Sequence, residues 1–430
     1  MKSSHIARAH QTQVHTQPSH TRTRSSRARR VASFNQTNKT KYITALAHVM
    51  TLMALDEPST LSVASVSRAL GSGEGIMTHV RTALYFGIFG GCLAYVLILT
   101  FPWRTLMRNR SMLTVVAPLT SMTSLFLTWR LILLFFVAFT THHRGHPDPP
   151  NLFVEAYVLV CDSAAGWWWS SVLLCWVTVA CPVAHAEAIR LRLLPRAALA
   201  YVACAFLGAV SLAFPLFFTH LDTLASLPKH NENIRRRGNA VGGGSTSKTP
   251  QSSAATLWGA CTTMAFLSTI LLPLSVRAMR PVFIVALAVV HVVLAIPFAF
   301  SEAKALSPTA LRRLATACAV YYVYTTCVAC IELHGPISAP KQSFASSVVA
   351  TFTKLLSAAS RNSCQASISI DAVFSSITGL AFICLSARGS GEVRVALRSC
   401  LLTPIIGPGA ALALYSAWRM EQEGAMLKRK

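Results

Sequence analysis

The chain has 430 residues, 53% of them hydrophobic and 13% charged, about half the charged share of an ordinary soluble domain. Such a composition belongs in a membrane, and the continuous apolar runs exclude a β-barrel, whose strands would alternate apolar and polar residues. The net charge of +24 would suggest nucleic acid in a soluble protein. Here the Lys and Arg residues sit in short segments between apolar runs, which is topology signal, so no nucleic-acid partner is expected.

Residues 1–41 form a Ser/Thr/His/Arg tail with too little apolar surface to fold alone. Its dense stretch RTRSSRARR, Arg22 to Arg30, is expected on the cytosolic side, where anionic lipid is its natural partner. In that orientation the sequons at Asn35 and Asn38 stay unglycosylated. No secretory signal is visible near Met1, so insertion is expected to use an internal helix.

Apolar runs follow at roughly 42–57, 78–102, 112–140, 152–184, 194–219, 255–276, 281–301, 309–331, 343–360, 367–387 and 396–418. Each of the longer ones can cross a hydrocarbon layer of about 30 Å. The predicted fold is therefore all-α: a polytopic bundle of about eleven transmembrane helices, with a range of ten to twelve. The first half-bundle covers 42–219, a flexible hydrophilic tether 220–254, the second half-bundle 255–419 and a short tail 420–430. The 152–184 run is overlong for one crossing, so it is tilted or broken near Gly166. SFASSVVATFTKLLSAAS is amphipathic enough to lie in the interface instead of crossing.

The tether carries Gly242-Gly243-Gly244 and Arg235-Arg236-Arg237, and its arginines argue for the cytosol. With a cytosolic tail, an even number of spans must precede it. Splitting 152–184 makes the count even but puts the basic segment HAEAIRLRLLPR outside, so the charge rule conflicts with itself.

No nucleophile elbow, phosphate loop, dinucleotide fingerprint or paired catalytic carboxylates appear, and no enzymatic activity or cofactor is expected. His142, His143 and His146 in HHRGHPDPP could bind metal but read first as an exposed loop. Most of the twelve cysteines lie inside apolar runs as small packing residues, and Cys327-Val-Ala-Cys330 has no second CxxC.

Intramembrane charges are more informative, because a charge at mid-bilayer costs at least about 2.5 to 3.5 kcal/mol. Arg130 interrupts SLFLTWRLILLFFVAF, and Asp162 interrupts the next run at a matched distance from the intervening turn. One reading pairs them across a helical hairpin. The other raises Asp162 to an interface at a break near Gly166, with Trp167, Trp168 and Trp169 as an aromatic belt. Asp371 and Glu332 lie near the ends of their runs and read as interfacial. Gly87 and Gly91 form a GxxxG pair, a candidate close-packing face. Pro404, Gly407, Pro408 and Gly409 interrupt the last run, a candidate broken helix of the kind that lines transporter sites.

In its layout of polar tail, acidic residue at Asp162, tether at 220–254 and second set of spans, the chain resembles the multi-spanning envelope protein family of alphaherpesviruses, encoded by the forty-third reading frame of the unique long region. The resemblance covers the whole length and rests on layout. It implies a non-enzymatic component of the virion envelope and host membranes that influences fusion, assembly or cell-to-cell spread, with other envelope or tegument proteins as partners. That family in turn is similar to the equilibrative nucleoside transporters, which carry an Asp and an Arg one helical turn apart in a C-terminal-half span. Arg312 and Arg313 have no such acidic partner. A solute transporter with a site between the half-bundles is the competing reading, and it needs several polar groups converging on a cavity.

Overall fold

The computed structural model describes residues 73–103, 105, 112–143, 150, 152–161, 163–226, 253–276, 280–300, 305–334, 344–387 and 389–428. The basic tail, the first apolar run, Asp162 and most of the tether lie outside them. The described residues are helical, with no strand among them. The helices are α1 (Gly73–Ala94), extended by a π-helical turn over Tyr95–Thr100, α2 (Met112–His142), α3 (Leu152–Cys161), α4 (Ala164–Arg190), α5 (Pro195–Leu207) and α6 (Val210–Ala225). After the tether come α7 (Ser253–Ser275), α8 (Arg280–Ala299), α9 (Pro308–His334), α10 (Phe344–Ala359), α11 (Ser363–Ser386), α12 (Ser390–Ile406) and α13 (Pro408–Lys428). Six of them are long and apolar enough to cross a membrane: α2, α4, α7, α8, α9 and α11. The overlong 152–184 run is broken between Cys161 and Ala164, where Ser163 caps α4 by accepting from the Gly166 amide at 3.0 Å.

Helices α2 and α4 have similar composition and opposite placement. In its span α4 is 72% buried and α2 only 11%. An apolar helix without a polar face must be covered on all sides, by protein or by lipid. Protein surrounds α4: it packs on α9, α13, α11, α7, α10 and α8 of the second set and on α3, α6 and α5 of the first. Since α4 belongs to the first set of runs and six of these nine neighbours to the second, the two sets are in extensive contact along α4.

Two connections reverse the chain inside the bundle. The Tyr201 ring stacks on Phe217 at 4.8 Å, and its hydroxyl lies 3.1 Å from His220 Nδ1. Nineteen residues of continuous helix would hold Tyr201 and His220 about 28 Å apart, so α5 and α6 form an antiparallel hairpin with its tip at Gly208–Ala209. The run 194–219 therefore enters and leaves on one side.

The second reversal is at Gly407, which adopts φ 83° and ψ 154°. Helix α13 runs parallel to α4, with Gly409 against Cys175 and Arg419 3.6 Å from Glu187. Helix α11 also runs parallel to α4, with Gln365 against Gly166 and Gly379 against Trp176. Near the end of α11, Cys384 meets Cys400 and Ser386 meets Tyr415. Cys400 and Tyr415 thus sit at one level on either side of Gly407, so α12 descends and α13 returns. What reads as a single span over 396–418 is a turn-back with its tip inside the bundle.

These reversals remove the conflict in the charge rule. Arg190, Arg192, Arg196, Arg312 and Arg394 lie at the same end of the bundle as the C-terminus of α6 and the N-terminus of α7, which flank the tether. Lys354 and Arg361 lie toward the other end. The positive-inside rule then assigns the arginine-rich end to the cytosol with HAEAIRLRLLPR and the tether flanks on one side, because the α5–α6 hairpin between them adds no crossing.

Candidate functional site: a buried carboxylate and two helical-hairpin tips

A hairpin tip inside an apolar bundle exposes backbone groups that have no intrahelical partner, and these must be satisfied locally. At the α5–α6 tip this falls to Asp371. Its Oδ1 accepts from the Ser211 amide at 2.7 Å and its Oδ2 from the Val210 amide at 3.2 Å, so a carboxylate 160 positions beyond Ser211 in sequence caps α6. A negative charge at a helix N-terminus is further favoured by the aligned peptide dipoles. The Ser211 hydroxyl contacts that of Ser124 on α2, and the Ser367 hydroxyl donates to the Thr128 carbonyl one turn along. Tyr85 of α1 donates to the Leu207 carbonyl at the other arm of the tip, and Phe89 fills the space beside Gly208. Asp371 is 7% exposed, which corrects the interfacial reading of this residue. Its buried environment is visible only when α2, α6 and α11 are brought together.

At the α12–α13 tip, a Cβ added to Gly407 would stand 2.9 Å from the Tyr322 ring, and one added to Gly409 would stand 2.9 Å from the Cys175 carbonyl oxygen. The close approach explains why glycine occupies both positions, and the positive φ adds a second reason at Gly407. The Tyr322 hydroxyl donates to the Pro404 carbonyl at 3.4 Å. Tip and ring meet near the middle of α4 and α9. Beside them Trp176 is fully buried between Phe214 and Gly379, and its indole nitrogen has no hydrogen-bond partner among the described residues.

The tryptophan trio is not an aromatic belt. Trp167, Trp168 and Trp169 are buried, and each indole N–H reaches a different acceptor: the Tyr321 hydroxyl at 3.1 Å, the Thr326 hydroxyl at 2.9 Å and the Leu355 carbonyl at 3.0 Å. Successive helical residues point about 100° apart, so the trio anchors α4 to α9 and α10 on several sides at once. Glu332 is exposed and accepts from the Ala164 amide at 2.6 Å, a second carboxylate placed on a helix N-terminus.

Arg130 is exposed on the outer face of α2, within a trough of about 720 Å³ that includes Met122, Phe126, Trp129, Leu133 and Val137. It lies two positions from Thr128, which turns toward α11, and so points to the opposite side. No ion pair to it is found among the described residues, and its expected partner Asp162 lies outside them. Gly87 and Gly91 have no heavy atom within 4 Å of an added Cβ, so among the described residues they form no close-packing face. The trough lies on the outer side of the α5–α6 tip: Trp129, which lines it, stacks at 5.1 Å on Phe89, the ring packed against Gly208. A cavity of about 30 Å³ beside His185 and Phe298 has room for about one water.

At the arginine-rich end, Glu187 bridges Arg190 at 2.5 Å and Arg419 at 3.6 Å, and Arg419 reaches Glu423 at 3.5 Å. These pairs tie the end of α4 to α13. Burial raises the Glu423 carboxyl above its ordinary value, against the opposing pull of Arg190 and Arg419. No group of three or more His, Cys, Asp or Glu able to hold a metal occurs among the described residues.

No family model, no curated protein and no solved structure matches this chain.

Proposed function

We propose that the chain is a non-enzymatic multi-pass membrane protein of the kind its resemblance to the alphaherpesvirus envelope family implies, acting through its outer faces and partners in fusion, assembly or spread. The observation that carries this reading is that protein groups fill the places where a transporter would hold its substrate. The α6 N-terminus, a natural anion site, is occupied by Asp371, and the Gly407 tip is filled by Tyr322.

A solute transporter remains the second reading, favoured by one observation: two helical hairpins end inside the bundle, and interrupted helices line midplane sites in many transporters. Uptake of labelled nucleosides into vesicles containing the purified protein separates the two. The envelope reading expects no uptake above that of empty vesicles. Saturable uptake abolished by Asp371→Asn would replace it with the transporter.

A further inference from the structure

We propose that Cys384 and Cys400 are an oxidation site, a thiol pair that hydroperoxides convert to a disulfide joining α11 to α12. Their sulfurs lie 3.4 Å apart as free thiols, so side-chain rotation has little distance to close before a bond of about 2.05 Å can form. Most cysteines in the described chain are buried, but Cys384 is exposed and Cys400 half-buried. Cys384 lies two residues from the end of α11, and α12 opens with the polar stretch SGEVRVALRS, so both thiols stand near the arginine-rich surface of the bundle. Burial and the neighbouring Cys384 sulfur push the Cys400 thiol up to about 12, so the more exposed Cys384 is the thiol that reacts first. Close spacing distinguishes this pair from Cys327 and Cys330, which are also accessible but for which no sulfur contact is found among the described residues.

The more exposed Cys384 thiolate attacks the O–O bond of a hydroperoxide, ROOH. Sulfur gains the OH as a sulfenic acid, and the alkoxide leaves and takes a proton as ROH. The Cys400 sulfur then attacks the sulfenic sulfur, the S–S bond forms, and hydroxide leaves with the Cys400 thiol proton as water. The sum is two thiols plus ROOH giving disulfide, ROH and water. At a cytosolic surface such a bond is reversible by the thiol pool, as befits a sensor rather than a structural link. Because α12 is the descending arm that ends at the Gly407 tip, the disulfide clamps that arm to the helix carrying Asp371.

The test uses full-length protein in native membranes, exposed to hydrogen peroxide and then to a maleimide, with peptide mapping before and after reduction. The expected result is dithiothreitol-reversible loss of both Cys384 and Cys400 to alkylation and a peptide linking them. In the Cys400→Ser variant that link disappears and Cys384 is instead trapped as a sulfenic acid by dimedone. The proposal is overturned if both thiols remain alkylatable under conditions that oxidise Cys327, or if Cys384 links to a different cysteine.

Discussion

Replacing Asp371 with alanine tests whether the α5–α6 hairpin depends on a cap from another helix. The substitution removes both acceptors and strands the Val210 and Ser211 amides in a site that is almost fully buried. Each unsatisfied buried donor costs about 1 to 3 kcal/mol, so the total is roughly 2 to 5 kcal/mol once some water penetration is allowed. At about 2 to 4 °C per kcal/mol for a body of this size, the melting temperature in detergent falls by roughly 4 to 20 °C. Asp371→Asn keeps one carbonyl acceptor for the shorter bond and loses the charge on the helix dipole, so it falls between wild type and alanine. Thermal unfolding monitored by size exclusion of the detergent-solubilised protein reads both. An alanine variant as stable as wild type, or an asparagine variant as damaged as alanine, refutes the capping account.

Gly407→Ala puts a Cβ against the Tyr322 ring and forces a side chain into positive φ, at a cost of about 2 to 4 kcal/mol; an unchanged melting temperature would mean the tip is not held as described. Arg192 sits at φ 53°, where the Leu193 and Arg192 amides return to the Ala188 and Ile189 carbonyls and close α4 in a motif that favours glycine, so Arg192→Gly should raise stability by about 0.5 to 1 kcal/mol, measured in the same assay. Trp168→Phe loses the bond to Thr326 and should cost about 1 to 2 kcal/mol, whereas a belt residue at an interface would tolerate the change. Arg130→Met should leave the melting temperature within about 2 °C of wild type, as surface substitutions away from packed features usually do. A loss relieved by adding Asp162→Leu would instead reinstate the Arg130–Asp162 pair.

Hydropathy alone placed this chain in a membrane as a helical bundle and located most of its helices, because backbone groups in hydrocarbon must pair within their own segment and long apolar runs leave no alternative. Interruptions were also legible: glycine and proline at 404–409, and the polar residues near Gly166, mark points where a helix cannot continue undisturbed. Hydropathy cannot show direction, however, since a run of 26 apolar residues reads alike whether it crosses once or turns back at Gly208. Nor does it separate α4 from α2, because lipid and protein interior are equally apolar and only neighbouring helices decide which covers a given face. The role of Asp371 was hidden for the same reason. Its position in the sequence says that a charge is costly there, and only the tertiary structure, by bringing the N-terminus of α6 against α11, decided what the charge is for.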